Sequence, residues 1–281
     1  MVLFSDVLLT VDFDRTLTAP DSTIPERNME AIRYFIDNGG AFTVNTGRSV
    51  PMFRKYLNTI PHSAPWLLYN GSAAYDGETM LEMPIAMDKG ELLEAIHARY
   101  PEIHIEEQGV VTHYCYWDDP VWMDFYEHTG IDHARADYDD DTGPFLKISM
   151  FGKPKAYDVA NLFAATAEEM AYFDELEQWL NEQFGDKLVV FRAAARIIDI
   201  HAKGSSKLGA ARALQAQMGR KILVCVGDAH NDVPMLEGAD HAFCPADGIV
   251  ADRFPNVCKC GDGAVADVIY EKIPEILKNR S

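Results

Sequence analysis

Asp12 and Asp14 stand one residue apart, directly behind the apolar run Val7 to Val11. An aspartate can serve as a covalent nucleophile in phosphoryl transfer, and a second one two residues on can protonate a leaving alkoxide and later activate water. Two ionised carboxylates ~4 Å apart repel by ~4 kcal/mol at an effective dielectric of ~20, so the pair needs a cation or a proton. Two other polar clusters share this placement. Thr46-Gly47-Arg48 follows the run Ala41 to Asn45, and Gly227-Asp228-Ala229-His230-Asn231-Asp232 follows Ile222 to Val226. Carboxylates from two such loops would make a hard oxygen site suited to Mg²⁺, with positions left for water and phosphate oxygens. Gly47 and Gly227 permit close backbone approach, and the helix N-termini that follow offer N–H groups to an anion. Taken alone, Asp6 to Thr18 also fits a solvated, Asp-rich turn.

The elements around these clusters decide whether they meet. Val7 to Val11 is short, apolar and β-branched, as expected of a buried parallel strand, and the carboxyl ends of such strands line a ligand crevice. Thr23-Ile-Pro-Glu26 resembles a capped helix start, and Met29, Ile32, Tyr34, Phe35 and Ile36 continue a helical stripe that Gly39-Gly40 closes. Strand, helix and strand in this order predict a right-handed βαβ unit, which brings Thr46 to the same edge as Asp12. A helix Val50 to Leu57, a strand Trp66 to Tyr69 and a hairpin through Asp76-Gly77 follow.

From about Met83 the pattern changes. A helix Lys89 to Arg99 is followed by strands near Ile103 to Ile105 and Val110 to Tyr116, then by the acidic loop Asp137 to Asp141 and a strand Phe145 to Phe151. Helical stretches Tyr157 to Met170 and Tyr172 to Phe184 and a strand Leu188 to Arg192 complete the segment. The alternation His104, Glu106, His113, Cys115 suits a sheet covered by helices on one face. The segment therefore reads as an inserted domain at 84–194, between core parts at 1–83 and 195–281. In the returning core, Ser205 or Ser206 caps a helix that reaches Gln217, with Lys207 at its start. A strand Ala242 to Cys244, another at Val257 to Cys260 and a terminal helix Gly263 to Leu277 close the chain. No internal repeat or low-complexity segment is visible.

The chain has 281 residues, enough for one large or two moderate domains, and 48% hydrophobic residues is ordinary for a globular protein. Twenty-five Lys and Arg against 44 Asp and Glu leave a formal charge of -19. Such a surface disfavours nucleic acid and anionic membranes, yet it permits an anionic substrate where the site is locally positive. The first apolar run is too short for a signal peptide, and no stretch reaches the ~18 apolar residues of a membrane span, so a cytoplasmic location is expected. Five cysteines argue against a disulfide framework, and Cys258-Lys-Cys260 lacks a second pair at zinc-site spacing. Oligomeric state is open.

With these residues in place, the chain resembles the haloacid-dehalogenase-like (HAD) superfamily, specifically its Cof-type and sucrose-phosphatase-like capped phosphatases. Asp-Phe-Asp-Arg-Thr-Leu-Thr from Asp12 is similar to the first motif, Asn-Thr-Gly-Arg from Asn45 to the second, Lys207 to the third, and Gly-Asp-Ala-His-Asn-Asp from Gly227 to the fourth. Their order spans nearly the whole chain. The resemblance implies an α/β fold, a Rossmann-like parallel-sheet core with an inserted α/β cap domain. It implies that Asp12 attacks phosphorus and that Asp14 is the general acid/base. Asp12, the Asp14 backbone carbonyl and Asp228 would bind Mg²⁺, with Asp232 holding its water shell. Thr46 and Lys207 would stabilise the phosphoryl oxygens, and Asn231 would orient Lys207 or the phosphate. Gly47, Arg48 and Asn231 are thus expected at the substrate phosphate, on a small phosphorylated metabolite of which sugar phosphates are the favoured class. Related enzymes also accept flavin mononucleotide or pyridoxal phosphate.

The chain departs from the family pattern at Arg15, where Gly is commonest, at Ala229, and at Pro245-Ala-Asp-Gly248 in place of a Gly-Asn-Ala turn. Lys203 is a rival for Lys207, although Lys207 fits better by its spacing from Asp199-Ile200. Arg48 fits a substrate clamp and a structural ion pair equally. His230 fits a substrate contact or an exposed loop position. His104 and His113 are expected to be structural, since neither has an acidic partner at a diagnostic spacing. Trp117, Trp122, Phe125 and Tyr126 are expected to pack the cap, and Asp139-Asp-Asp141 lacks the spacing of a calcium loop. Beside the phosphatase stand two other readings: a sugar phosphomutase of phosphomannomutase-like build, and a phospho-ligand sensor without turnover.

Overall fold

The computed structural model describes residues 3–116, 120–152 and 165–279. β1 (Val7–Val11) is buried along its whole length. It passes through a π-helical turn (Phe13–Leu17) to α1 (Glu26–Asp37) and β2 (Ala41–Val44). α2 (Val50–Phe53) and a 3-10 turn (Arg54–Tyr56) precede β3 (Trp66–Leu68), β4 (Ala73–Tyr75) and β5 (Thr79–Glu82). Next come α3 (Lys89–Arg99), β6 (His104–Gln108), β7 (His113–Cys115), α4 (Pro120–Thr129), β8 (His133–Arg135) and β9 (Lys147–Phe151). α5 (Ala167–Phe184) leads to the hairpin of β10 (Leu188–Ala194) and β11 (Ile197–Ala202). α6 (Lys207–Gln217), β12 (Ile222–Val226), a 3-10 turn (His230–Asp232), α7 (Val233–Glu237), β13 (His241–Pro245) and β14 (Asn256–Val257) follow. α8 (Ala264–Asp267) runs through a π-helical turn (Val268–Lys272) into α9 (Ile273–Lys278). Trp117 and the first part of the expected helix Tyr157 to Met170 lie outside the described residues.

The chain divides into two compact units. The first holds the described residues up to 48, 55–81 and from 206 onward. Its sheet has the order β14-β13-β12-β1-β2, all parallel, and a parallel bridge from Asn45 to Leu67 continues it towards β3. Val11 lies opposite both Val226 and Val44, so three carboxyl ends stand level. From β1 the chain proceeds to β2 on one side, and from β12 to β13 on the other. The order therefore reverses between β1 and β12, which opens the ligand crevice of a parallel sheet at that point. Along these strands Leu8, Leu223 and Cys225 pack with Ala211 and Leu214 of α6. The expected Thr23 cap is absent: Pro25 precedes α1, and the Thr23 hydroxyl instead donates to Asp21 Oδ1 at 2.6 Å.

The second unit holds residues 49–54 and 82–205. Its six-stranded sheet has the order β10-β11-β9-β6-β7-β8, antiparallel except for the β7–β8 pair. Leu92, Leu93 and Ile96 of α3 and Phe173, Leu176 and Leu180 of α5 cover the face bearing Ile105, Ile148, Met150, Ile198 and Ile200. Two expectations need correction. The boundary at 194 falls inside the β10–β11 hairpin, and because β11 also pairs with β9 this unit extends to Ser205. The polar face is not open either: His104, Glu106 and His113 are 1%, 3% and 0% exposed. Trp122 of α4 stacks on His104 at 4.9 Å, and Ser49 Oγ lies 2.7 Å from His113 Nε2. His113 Nδ1 meets Glu106 Oε1, an acidic partner seven residues away that adjacent strands bring alongside. Trp122 and Tyr126 are buried as expected. Among the described residues no helix is long and apolar enough to cross a membrane.

Candidate active site

Three loops leave the level strand ends of the first unit, and their side chains converge. Asp12 follows β1 and its N–H donates to the Val226 carbonyl at 2.8 Å, which ties the first loop to the end of β12. Asp228 follows Gly227, where a Cβ would come within 2.6 Å of the Asp232 Cβ, so only glycine lets the loop fold back on itself. Asp12, Asp228 and Asp232 each offer an oxygen within 4.8 Å of the other two, and all three are buried.

Lys207 supplies the opposing charge. Ser206 caps α6 by accepting from the Gly209 N–H at 2.9 Å, which fixes Lys207 in the first turn. Its ammonium donates to Asp12 Oδ1 and to Asp232 Oδ1, each at 2.6 Å. Those bonds use two of its three N–H donors and leave the third for an incoming anion. Lys203, the rival, donates to the Gly185 carbonyl in the second unit.

Asp232 has no oxygen to spare. Its Oδ1 takes the lysine and its Oδ2 accepts the backbone N–H groups of Asp228 and Ala229, both at 3.1 Å. Asp228 Oδ1 accepts from the Thr16 hydroxyl at 3.2 Å. Oδ2 of Asp12 and Oδ2 of Asp228 accept no hydrogen bond among the described residues, so both stand open, to a ligand or to an electrophile. Burial raises the Asp12 carboxyl well above its ordinary value, opposed by Lys207 and reinforced by Asp232, Asp228 and Asp14. Burial, then the Asp232 charge, pushes Asp228 up to about 6. Burial works against the Lys207 ammonium, yet Asp12 and Asp232 raise its pKa above the ordinary value. Three carboxylates against one ammonium leave the cluster short of positive charge, and its hard oxygen donors suit a small divalent cation.

Asp14 does not join the cluster through its carboxylate. The chain turns after Phe13, and Arg15 takes φ 59° with its N–H on Thr18 Oγ1. The extended geometry that would have aimed Asp12 and Asp14 alike is lost. Arg48 Nε and Nη2 instead donate to Asp14 Oδ2 and Oδ1 at 2.9 and 2.7 Å. Of the two readings of Arg48, the ion pair is the one these contacts display.

Thr46 is buried, and its Oγ1 accepts from the Arg48 N–H at 3.2 Å, leaving the hydroxyl proton for a ligand. Gly47 allows the buried Asn70 to lie against it, since a Cβ there would be 2.9 Å from Asn70 Oδ1. Asn231 lies in the 3-10 turn His230–Asp232, and its side chain hydrogen-bonds nothing among the described residues. Lys207 is oriented by Asp12 and Asp232, not by Asn231. Three supports were not read from the sequence. Thr16 holds Asp228, Asn45 Nδ2 donates to the Lys207 carbonyl at 2.9 Å, and the Asn70 N–H donates to the Thr46 carbonyl at 2.9 Å. Asn70 sits at φ 53°, a conformation Asn tolerates better than most residues, and that is the one signal its sequence carried.

A sequence profile of the haloacid dehalogenase-like hydrolases matches residues 9–251, and the chain belongs to that family. The Haemophilus influenzae protein named "Putative phosphatase" is 23% identical over 236 residues, covering 81% of this chain and 80% of that one. A haloacid dehalogenase-like hydrolase from Bacteroides thetaiotaomicron has a TM-score of 0.75 at 19% identity, over 93% of this chain and 97% of its own. The HAD subclass IIB sugar phosphatase BT4131 has a TM-score of 0.73 at 15% identity, over 95% of this chain and 99% of its own. At these identities the two structures share the fold.

Proposed function

We propose that this hydrolase is a Mg²⁺-dependent phosphomonoesterase acting on a small phosphorylated metabolite, with sugar phosphates as the favoured class, through an aspartyl-phosphate on Asp12. The observation that carries the reading is the Lys207 bridge. One buried ammonium holds Asp12 by a single oxygen, leaves the other free to attack, and keeps a third donor for the phosphoryl group.

Asp12, Asp228 and the Asp14 backbone carbonyl would hold Mg²⁺, with Asp232 behind its water shell; when bound, the ion offsets the negative charge of the phosphoryl oxygens. The Lys207 ammonium and the Thr46 hydroxyl donate to those oxygens and place phosphorus in line with Asp12 Oδ2. Oδ2 forms a bond to phosphorus, the bond to the leaving oxygen breaks with its electron pair, and Asp14 in its acid form gives that oxygen a proton. Water then attacks phosphorus, the bond to Asp12 breaks and restores the carboxylate, and Asp14 accepts the proton of the water.

Support for the substrate class comes from the relative BT4131, a sugar phosphatase of the same fold. The five free cysteines, four of them buried, support a reducing, cytoplasmic setting. The test is phosphate release from sugar phosphates, flavin mononucleotide, pyridoxal phosphate and an aryl phosphate, with and without Mg²⁺, in wild type and Asp12→Asn. Mg²⁺-dependent release that the substitution abolishes is expected. A folded protein that binds Mg²⁺ but releases no phosphate from any of them would sink the reading.

A further inference from the structure

We infer that Arg48 is the positioning residue of the acid/base Asp14, and that it acts on the leaving group through Asp14 and not as a ligand of the phosphate. The inference rests on the hydrolase reading above and adds a division of labour to it. The guanidinium is held along its Nε–Nη2 edge and against two aromatic rings on one side. Its Nε and Nη2 take both oxygens of Asp14 in the forked geometry that gives Arg–carboxylate pairs their strength and direction. The Phe13 ring lies 4.8 Å and the Tyr56 ring 5.7 Å from its central carbon, and these two rings pack on each other at 4.6 Å. Swinging towards a phosphate would break two charge-assisted hydrogen bonds and leave both rings.

Asp14 needs such a partner. Its side chain is 49% exposed, against 20% for Arg48, and it sits on the non-helical corner of the turn beside Arg15 at φ 59°. It lies outside the group of Asp12, Asp228 and Asp232, whose mutual contacts would otherwise hold it. Among the described residues, Arg48 is the one side chain that hydrogen-bonds both of its oxygens. The sequence ties this clamp to the phosphate loop as well. Arg48 follows Thr46 by two residues and returns its own N–H to Thr46 Oγ1, so one short loop sets the phosphate donor and the direction of the acid.

Because the acid acts on the leaving oxygen, its misplacement should matter in proportion to how much that oxygen needs a proton. An alkoxide needs it and a nitrophenolate hardly does. The experiment compares kcat/KM, which covers the steps through formation of the aspartyl-phosphate, for alkyl phosphates and 4-nitrophenyl phosphate in wild type, Arg48→Met, Asp14→Asn and the double variant. Arg48→Met keeps the packing on the two rings and loses the fork. We expect it to lose ~30-fold or more beyond its aryl loss on the alkyl substrates, a part of the ~10²–10⁴ that general acid catalysis contributes in full. The inhibition constant of inorganic phosphate should stay within ~2-fold, and the double variant should be no worse than Asp14→Asn on alkyl substrates. Equal losses on both substrate classes would overturn the inference: with weaker phosphate inhibition they make Arg48 a phosphate ligand, and without it a structural residue. Should Arg48→Met fail to fold, Arg48→Lys, which keeps the charge but not the fork, carries the same contrast. A wild type inactive on every ester would overturn the hydrolase reading first, before any variant is compared.

Discussion

The side-chain amide of Asn45 donates to the backbone carbonyl of Lys207 at 2.9 Å, across 162 residues of sequence. The bond joins the end of β2, which carries Thr46, to the first turn of α6, which carries the lysine. Two groups proposed to stabilise the phosphate are thereby tied together by one buried amide. Asn45→Ala is expected to lower stability by about 1–3 kcal/mol, the cost of stranding a buried hydrogen-bond partner, and to lower kcat/KM by about tenfold. Urea denaturation and steady-state kinetics on the same preparation check both. An unchanged kcat/KM would mean that Lys207 is held well enough by its two carboxylates.

Asp228 carries a cost in the metal-free protein. Burial and then the Asp232 charge push its carboxyl from 3.8 up to about 6, so the fold binds a proton there that the unfolded chain has already released. Stability of the metal-free protein should therefore fall as pH climbs from 3.8 to about 6. Asp228→Asn should remove that slope and, near pH 7.5 with chelator present, be more stable than wild type by about 1–2 kcal/mol. Mg²⁺ should raise the urea midpoint of the wild type and leave that of the variant where it was. A variant that responds to Mg²⁺ like the wild type would remove Asp228 from the ligand set.

His201 gives the second unit the opposite pH dependence. Burial, and after it the Lys147 charge, hold its pKa well below 6.5. The folded protein keeps the imidazole neutral while the unfolded chain takes up a proton below 6.5. Stability must then fall as pH drops, with a slope of at most about 1.4 kcal/mol per pH unit from this one group. His201→Gln should show a shallower loss between pH 7 and pH 5 in guanidinium denaturation. Parallel curves for the two proteins would mean that His201 is protonated in the fold.

Arg15 occupies a left-handed backbone position, φ 59°, where a side chain is disfavoured and glycine is not. Arg15→Gly and Arg15→Ala both delete the guanidinium and differ only in the Cβ. The glycine variant is expected to be more stable than the alanine variant by about 0.5–1 kcal/mol, read from paired urea midpoints. The reverse order would mean that the turn relaxes to a different conformation once the side chain is gone.

The core strands were legible because buried parallel strands read as continuous apolar runs with polar loops directly behind them. Val7 to Val11, Ala41 to Val44 and Ile222 to Val226 all have that form, and a level register then puts Asp12, Thr46 and Asp228 at one edge. The direction of the Asp14 side chain was not legible for a local reason, since the backbone turns after Phe13 and residue spacing alone does not record that turn. Thr16 and Asn45 were invisible because their partners stand 212 and 162 residues away. The His113–Glu106 pair is set by strand neighbours, and no spacing rule along one chain records it. The run Ile197 to Ala202 would suit either sheet by composition, so its apolar character alone could not say which one it joins.

The pairing of Val7 with Ile222 also governs the order in which this chain can be completed as it is synthesised. One flank of β1 is filled early, when Ala41 arrives opposite Leu8. The other flank, beside Asp12, must wait until β12 has been made, and until then it offers unpaired backbone to any passing strand. Residues 82–205 emerge in between and build a sheet from their own strands. A sheet already formed there shortens the loop that β12 has to close and lowers its entropic cost. The length of the inserted unit thus sets how long the flank of β1 beside Asp12 stays unpaired during synthesis.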